Sequence, residues 1–177
     1  MLSPASGDRL AAVTTELTSL AMPVATLLRR RKETIAVAES SAGGLISAAL
    51  LAIPGASAYF LGGGIIYTQP ARRALLDVDD EHVRGIRSST EDYARVKARA
   101  IRQLLSATWG LAETGASGPT GNRYGDAPGH ACFAVAGPVE RALTVETHDT
   151  DREKNMWSFA RAALLLLEAA LSETTQG

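Results

Sequence analysis

Thr34-Ile35-Ala36-Val37-Ala38-Glu39-Ser40-Ser41-Ala42-Gly43-Gly44 joins a short β-prone apolar run to a turn of small residues, and a helical pattern runs on from Leu45 to Ile53. The order is strand, tight turn, helix. That geometry exposes a hydroxyl at the carboxyl end of the strand and aims the first N–H groups of a helix at whatever binds there, an arrangement suited to a phosphate or an oxyanion. Ser40 is the residue at the break. Two readings stay open on these residues alone: Ser40 faces a ligand, or Ser40 or Ser41 caps the helix that follows.

Outward from this stretch, strands alternate with helices. Before it, Leu10, Val13, Leu17, Leu20, Val24, Leu27 and Leu28 recur at helical spacing between Asp8 and Lys32, with a kink or a second start expected at Pro23. After it, Pro54-Gly55 stops the helix, and Tyr59-Phe60-Leu61 and Ile65-Ile66-Tyr67 flank Gly62-Gly63-Gly64 as an interrupted strand. A short helix from Pro70 to Leu76 is expected, its proline suited to the first turn. Tyr93, Val96, Ala100, Ile101, Leu104 and Leu105 mark a helix over 90–107, with Ser89 or Thr90 as its cap. Gly115 to Gly129 is too rich in glycine and proline for regular structure, and a loop of that length inside a compact domain is often functional. His130 to Ala136 and Ala142 to Thr147 form a hairpin pair, and Asp151 to Leu171 a long leucine-rich helix. This alternation predicts one α/β domain, a layered sandwich around a mixed sheet.

The bulk numbers agree with a single domain and narrow its partners. In 177 residues, 18 Lys and Arg face 19 Asp and Glu, so the net charge of -1 sets up no field to hold nucleic acid. Asp8, Arg9, Thr14, Thr15 and Glu16 break up the start of the chain, so no signal peptide is expected, and the apolar stretch Ala162 to Leu167 is too short to span a bilayer. The one cysteine, Cys132, lies in an apolar run where a thiol packs as a small hydrophobe, and a cytoplasmic location fits it. His82, His130 and His148 show no metal-ligand spacing, so no metal or cofactor is expected. The 115–129 loop lacks the Gly-Lys-Ser/Thr ending of a Walker A motif.

Four blocks in order, Ala38 to Gly44, Ile53-Pro54-Gly55-Ala56-Ser57, Gly64-Ile65-Ile66-Tyr67-Thr68 and Thr114 to Gly121, resemble the C-terminal amidase domain of the competence/damage-inducible CinA family over about residues 10–172. That family carries Ala-Glu-Ser-Cys-Thr-Gly-Gly and Thr-Gly-Ile-Ala-Gly-Pro-Gly-Gly at the corresponding places. The resemblance implies a three-layer α/β/α sandwich with a mixed, mostly parallel sheet. It also implies an amidase that hydrolyses the carboxamide of nicotinamide mononucleotide, releasing ammonia, without a metal.

Carried over by position, Ser40 matches the nucleophile and Tyr67 the active-site tyrosine, while the family's lysine base falls on Arg72. Glu39, Ser41, Gly43 and Gly44, with Gly115, Ser117, Gly118, Thr120, Gly121 and Arg152, become the expected substrate contacts. The departures bear on the chemistry. A guanidinium stays protonated and cannot take a proton from a serine, so Arg72 would instead hold the substrate phosphate. The family's Cys and Thr become Ser41 and Ala42, and its second arginine four residues after Arg152 becomes Met156. Three readings follow: an amidase with oxyanion donors at Gly43 and Gly44 or in 115–121; a nucleotide-binding or regulatory protein without turnover; and a homo-oligomer built on the helices over 8–31.

Overall fold

Strand β1, Ile35–Glu39, is buried along its whole length and lies inside the sheet, one strand from its edge. The computed structural model describes the backbone of residues 4–174 and the side chains of residues 17–174. Parallel neighbours flank β1 on both sides: β2, Phe60–Ile65, at one edge, and β3, Trp109–Ala116. Beyond β3 lie β4, His130–Ala136, and β5, Arg141–Glu146, each antiparallel to the strand before it. The order is β2-β1-β3-β4-β5, and only β4 runs against the others.

Side chains alternate across each strand, so the sheet has two apolar faces. Ile35, Val37, Leu111, Phe133 and Val135 meet helices α1, Pro4–Arg31, α2, Leu45–Leu51, and α5, Arg152–Glu173. On the other face Ala36, Ala38, Ala112, Ala134 and Ala136 meet α4, Glu91–Leu104, beside α3, Gln69–Leu76. The result is a three-layer α/β/α sandwich, as the alternation of elements implied. Alanines on the α4 side let that helix approach closely. At Gly110 an added Cβ would lie 2.0 Å from the Ala98 carbonyl oxygen. Gly110→Ala therefore has to push α4 off the sheet, and a loss of about 2–3 kcal/mol or more is expected in a urea titration.

Two local expectations change. Helix α1 runs unbroken through Pro23, because Ala21, Val24, Ala25 and Leu28 are packed in the core on both sides of the proline. Tertiary burial there outweighs the lost backbone hydrogen bond. The side chains of Leu10 and Val13 lie outside the described residues. The triple glycine does not interrupt β2, whose ladder pairs Ala36 with Gly62, Val37 with Gly63 and Ala38 with Gly64. A Cβ at Gly63 would sit 2.5 Å from Ser47 Oγ, so the missing side chain is what lets α2 cover this edge strand.

Helix ends follow ordinary capping. Thr68 accepts from Ala71 N at 3.2 Å, Thr90 from Tyr93 N at 3.3 Å, and Asp151 from Lys154 N at 3.1 Å. Thr90, not Ser89, therefore starts α4. Ser89 precedes it in a left-handed conformation, φ 58°. Among the described residues no helix is long and apolar enough to cross a membrane.

Candidate functional site

The carboxyl ends of β1, β2 and β3 open into two adjoining cavities. The first, about 340 Å³, is lined by Ser40, Tyr67, Ser89, Tyr93, Thr114, Asn122, Arg123 and Tyr124, among others. The second, about 250 Å³, is lined by Ser41, Ser117, Gly118, Thr120, Gly121 and Arg152. Tyr67, Gly115 and Asn122 belong to both and form the shared wall. Ser40, Tyr67 and the 115–121 segment thus come together.

The turn carrying Ser40 is held by a buried carboxylate that sequence reading missed. Glu113 accepts from Ser40 N at 2.9 Å, from Ala42 N at 2.9 Å, and from the Ser41 hydroxyl. With its backbone N–H engaged, Ser40 keeps its hydroxyl free of any hydrogen bond among the described residues, half-buried at the cavity wall. Ser41 is buried and its hydroxyl is spent on Glu113. A carboxylate directly after the apolar pair Leu111-Ala112 in a strand was the available signal, since a buried charge needs partners.

Glu39, expected to meet substrate, turns inward instead. It is fully buried and accepts from Gly44 N at 2.9 Å, Ile46 N at 3.0 Å, Ser47 N at 2.8 Å and the Ser47 hydroxyl. Burial raises its pKa, and the bonds from Ser47 and Ile46 partly offset that rise. Gly43 N donates to Ser40 O at 3.1 Å. The N–H groups of Gly43 and Gly44 are therefore occupied within the protein. In 115–121, by contrast, the N–H groups of Gly118, Thr120 and Gly121 carry no hydrogen bond among the described residues.

Arg152 spans the second cavity, donating to Gly118 O at 2.7 Å and to the Tyr67 hydroxyl at 3.2 Å. Ser117 is buried, and its hydroxyl has no partner among the described residues. Arg72 lines neither cavity. It is buried on α3 and paired, together with Arg73, to Asp80. Counting from Tyr67 leads to Arg72 on α3, and the fold turns its guanidinium toward Asp80 rather than into either cavity.

A second group that sequence reading passed over is Lys97, on the inward face of α4 with Tyr93, Ala94, Ala98 and Ile101. Only 1% exposed, it donates to the Glu113 carbonyl oxygen at 2.8 Å. Burial drives its pKa from the ordinary 10.5 down to about 8, against the opposing pull of Glu113 and Glu39. A folded-state value below the unfolded one makes the charged lysine a penalty that is fully present below pH 8 and fades as pH rises toward 10.5. Stability measured against Lys97→Met should rise through that window by about 3 kcal/mol, at about 1.4 kcal/mol per pH unit. Urea titrations of both proteins at successive pH values test this, and parallel profiles would contradict it.

Cys132 is buried, and burial raises the pKa of its thiol, which packs near Ser89 O and Thr144 as a structural side chain. Among the described residues no group of three or more His, Cys, Asp or Glu is placed to hold a metal ion.

With this geometry in view, residues 17–171 match the model of the CinA C-terminal domain. A CinA-like protein from Gloeobacter violaceus is 41% identical over 128 residues, which cover 72% of this chain and 30% of that protein. One from Prochlorococcus marinus is 42% identical over 120 residues, 68% of this chain and 28% of that protein. The chain thus spans less than a third of the length of these curated relatives. Among solved structures, a competence-damaged protein (CinA) superfamily protein from Klebsiella pneumoniae superposes with a TM-score of 0.82 at 26% identity, covering 89% of this chain and 98% of that one. The competence/damage inducible protein CihA from Agrobacterium tumefaciens gives 0.79 at 27% identity, with 89% and 96% covered. The chain belongs to the CinA C-terminal domain family.

Proposed function

We propose that this domain is an amidohydrolase that cleaves the carboxamide of a pyridine mononucleotide such as nicotinamide mononucleotide. The observation that carries the reading is the Ser40 hydroxyl, unbonded within the protein and presented to the first cavity by a turn whose backbone Glu113 pins. Ser40 Oγ attacks the carboxamide carbon, and the tetrahedral intermediate collapses with loss of ammonia to leave an ester on the serine. Water then hydrolyses that ester to the nicotinate nucleotide and free Ser40. Tyr67 lines the wall shared by both cavities and its oxygen meets Arg152; in this reading it carries the proton between serine and leaving group. The unbonded N–H groups of 118–121 suit the oxyanion or a substrate phosphate, and Arg152 adds a cation there.

The second reading, binding without turnover, is favoured by one observation: among the described residues no lysine or histidine lines the first cavity, and Arg72 stands off both. Ammonia release from nicotinamide mononucleotide by the purified protein supports hydrolysis. Calorimetric binding without release supports the second reading, and neither result leaves the pocket to another ligand. Arg152→Ala should raise KM about tenfold, because a charge-assisted contact is lost. Arg72→Lys, made where the side chain serves Asp80, should leave turnover within about threefold.

A further inference from the structure

Glu113 enters the chemistry above only as the clamp on the Ser40 turn and Lys97 not at all, yet a buried hydrogen bond joins the two. Alternation along β3 puts the Glu113 side chain on the face of Trp109 and Leu111, toward the turn that leads into α2. Lys97 comes from α4, in the opposite layer, and reaches the same residue through its backbone oxygen. The carboxylates that act on Lys97 electrostatically are Glu113 on β3 and Glu39 on β1, both turned toward α2 across the sheet, while the ring of Tyr93, on its own helix, is 6.0 Å away. Those two carboxylates accept from the N–H groups of Ser40, Ala42, Gly44, Ile46 and Ser47.

A buried ammonium costs stability, and an apolar side chain of similar length fills such a place without that cost. The charge therefore acts on the carboxylates whose field reaches it through the sheet. Tyr93 also lines the first cavity, so the ammonium lies beneath the cavity wall without touching its contents. Among the described residues Lys97 makes no hydrogen bond to Ser40, which makes it a group that works through Glu113.

We propose that Glu113 and Lys97 are a positioning pair: Glu113 clamps the backbone of Ser40 and Ala42, Lys97 supplies the buried countercharge, and together they hold the Ser40 hydroxyl in its reactive orientation. Serine reactivity is thereby controlled from the α4 layer. The depressed pKa of Lys97 adds a consequence, since the countercharge fades above pH 8. The pair deepens the amidase reading, but the reactivity of Ser40 can be measured without that substrate.

The experiment follows the rate at which diisopropyl fluorophosphate modifies Ser40, located by peptide mass spectrometry. In that reaction Ser40 Oγ bonds to phosphorus, fluoride leaves, and the hydroxyl proton passes to solvent. The wild-type protein is compared with Glu113→Gln and Lys97→Met, with thermal midpoints as the control for folding. Glu113→Asp, which keeps the carboxylate but withdraws it by one methylene, replaces Glu113→Gln if that variant does not fold. The pair predicts labelling at least tenfold slower in the Glu113 variant and about fivefold slower in Lys97→Met at pH 7. The wild-type to Lys97→Met ratio should fall toward one by pH 9, a change that a purely structural lysine would not give.

Folded variants that label at the wild-type rate overturn the proposal, as do a ratio flat with pH, a wild-type Ser40 that resists the reagent, and label on Ser41. Ammonia release is measured in parallel on nicotinamide mononucleotide. A labelled Ser40 without ammonia release removes the amidase reading and leaves the positioning pair standing.

Discussion

Ser40→Ala is expected to lower kcat for ammonia release from nicotinamide mononucleotide by at least about a thousandfold, while Kd for the nucleotide stays within about threefold. The asymmetry comes from the hydroxyl's surroundings. Its oxygen bonds to nothing else among the described residues, so its removal leaves no buried partner orphaned and the turn stays clamped through the Ser40 and Ala42 N–H groups. The thermal midpoint should not move. Ser41→Ala gives the opposite pattern, because it removes a donor from the buried Glu113 carboxylate and so costs about 1–3 kcal/mol of stability. Steady-state kinetics and calorimetry on the two variants separate nucleophile from support. Full activity in Ser40→Ala with its loss in Ser41→Ala would move the nucleophile one residue along and make Glu113 its base.

The largest effect on stability is expected at Glu39. Among the described residues its carboxylate is the only partner of the Gly44, Ile46 and Ser47 N–H groups at the start of α2; it also accepts from the Ser47 hydroxyl, and both it and Ile46 are fully buried. Glu39→Ala should cost about 3–5 kcal/mol, since it removes four hydrogen bonds at the start of α2, one of them to a buried N–H, and opens a cavity at the end of β1. For a domain of this size that corresponds to a fall in melting temperature of roughly 6–20 °C. Differential scanning calorimetry measures it directly. A midpoint unchanged in Glu39→Ala would mean that the carboxylate does not hold the helix.

Much of the layering was legible in the residues. Thr34 to Gly44 reads as strand, turn and helix, and that is how β1 meets α2. Helix α4, the β4–β5 hairpin and α5 fall where periodicity and capping placed them. What could not be read is where side chains point once distant elements meet. Glu39 and Ser40 are adjacent, yet one is buried against its own helix and the other opens to a cavity, because strand alternation sends neighbours to opposite sides. Glu113 lies 73 residues from Ser40 in sequence, and no local pattern joins them. Arg72 could be counted from Tyr67, but Asp80, eight residues further on, decides where its guanidinium goes. The glycines of β2 read as a break, whereas Ser47, from the separate helix α2, is what leaves no room for a side chain at Gly63.

All of this turns on whether the hydroxyl at position 40 forms a covalent bond to its substrate. Rapid acid quench of the protein mixed with nicotinamide mononucleotide, followed by peptide mass spectrometry, tests that step. The account predicts an acyl adduct on Ser40 that appears before steady state and is absent from Ser40→Ala. Ammonia released at an undiminished rate by Ser40→Ala, with no adduct on Ser40 in the wild-type protein, would contradict it.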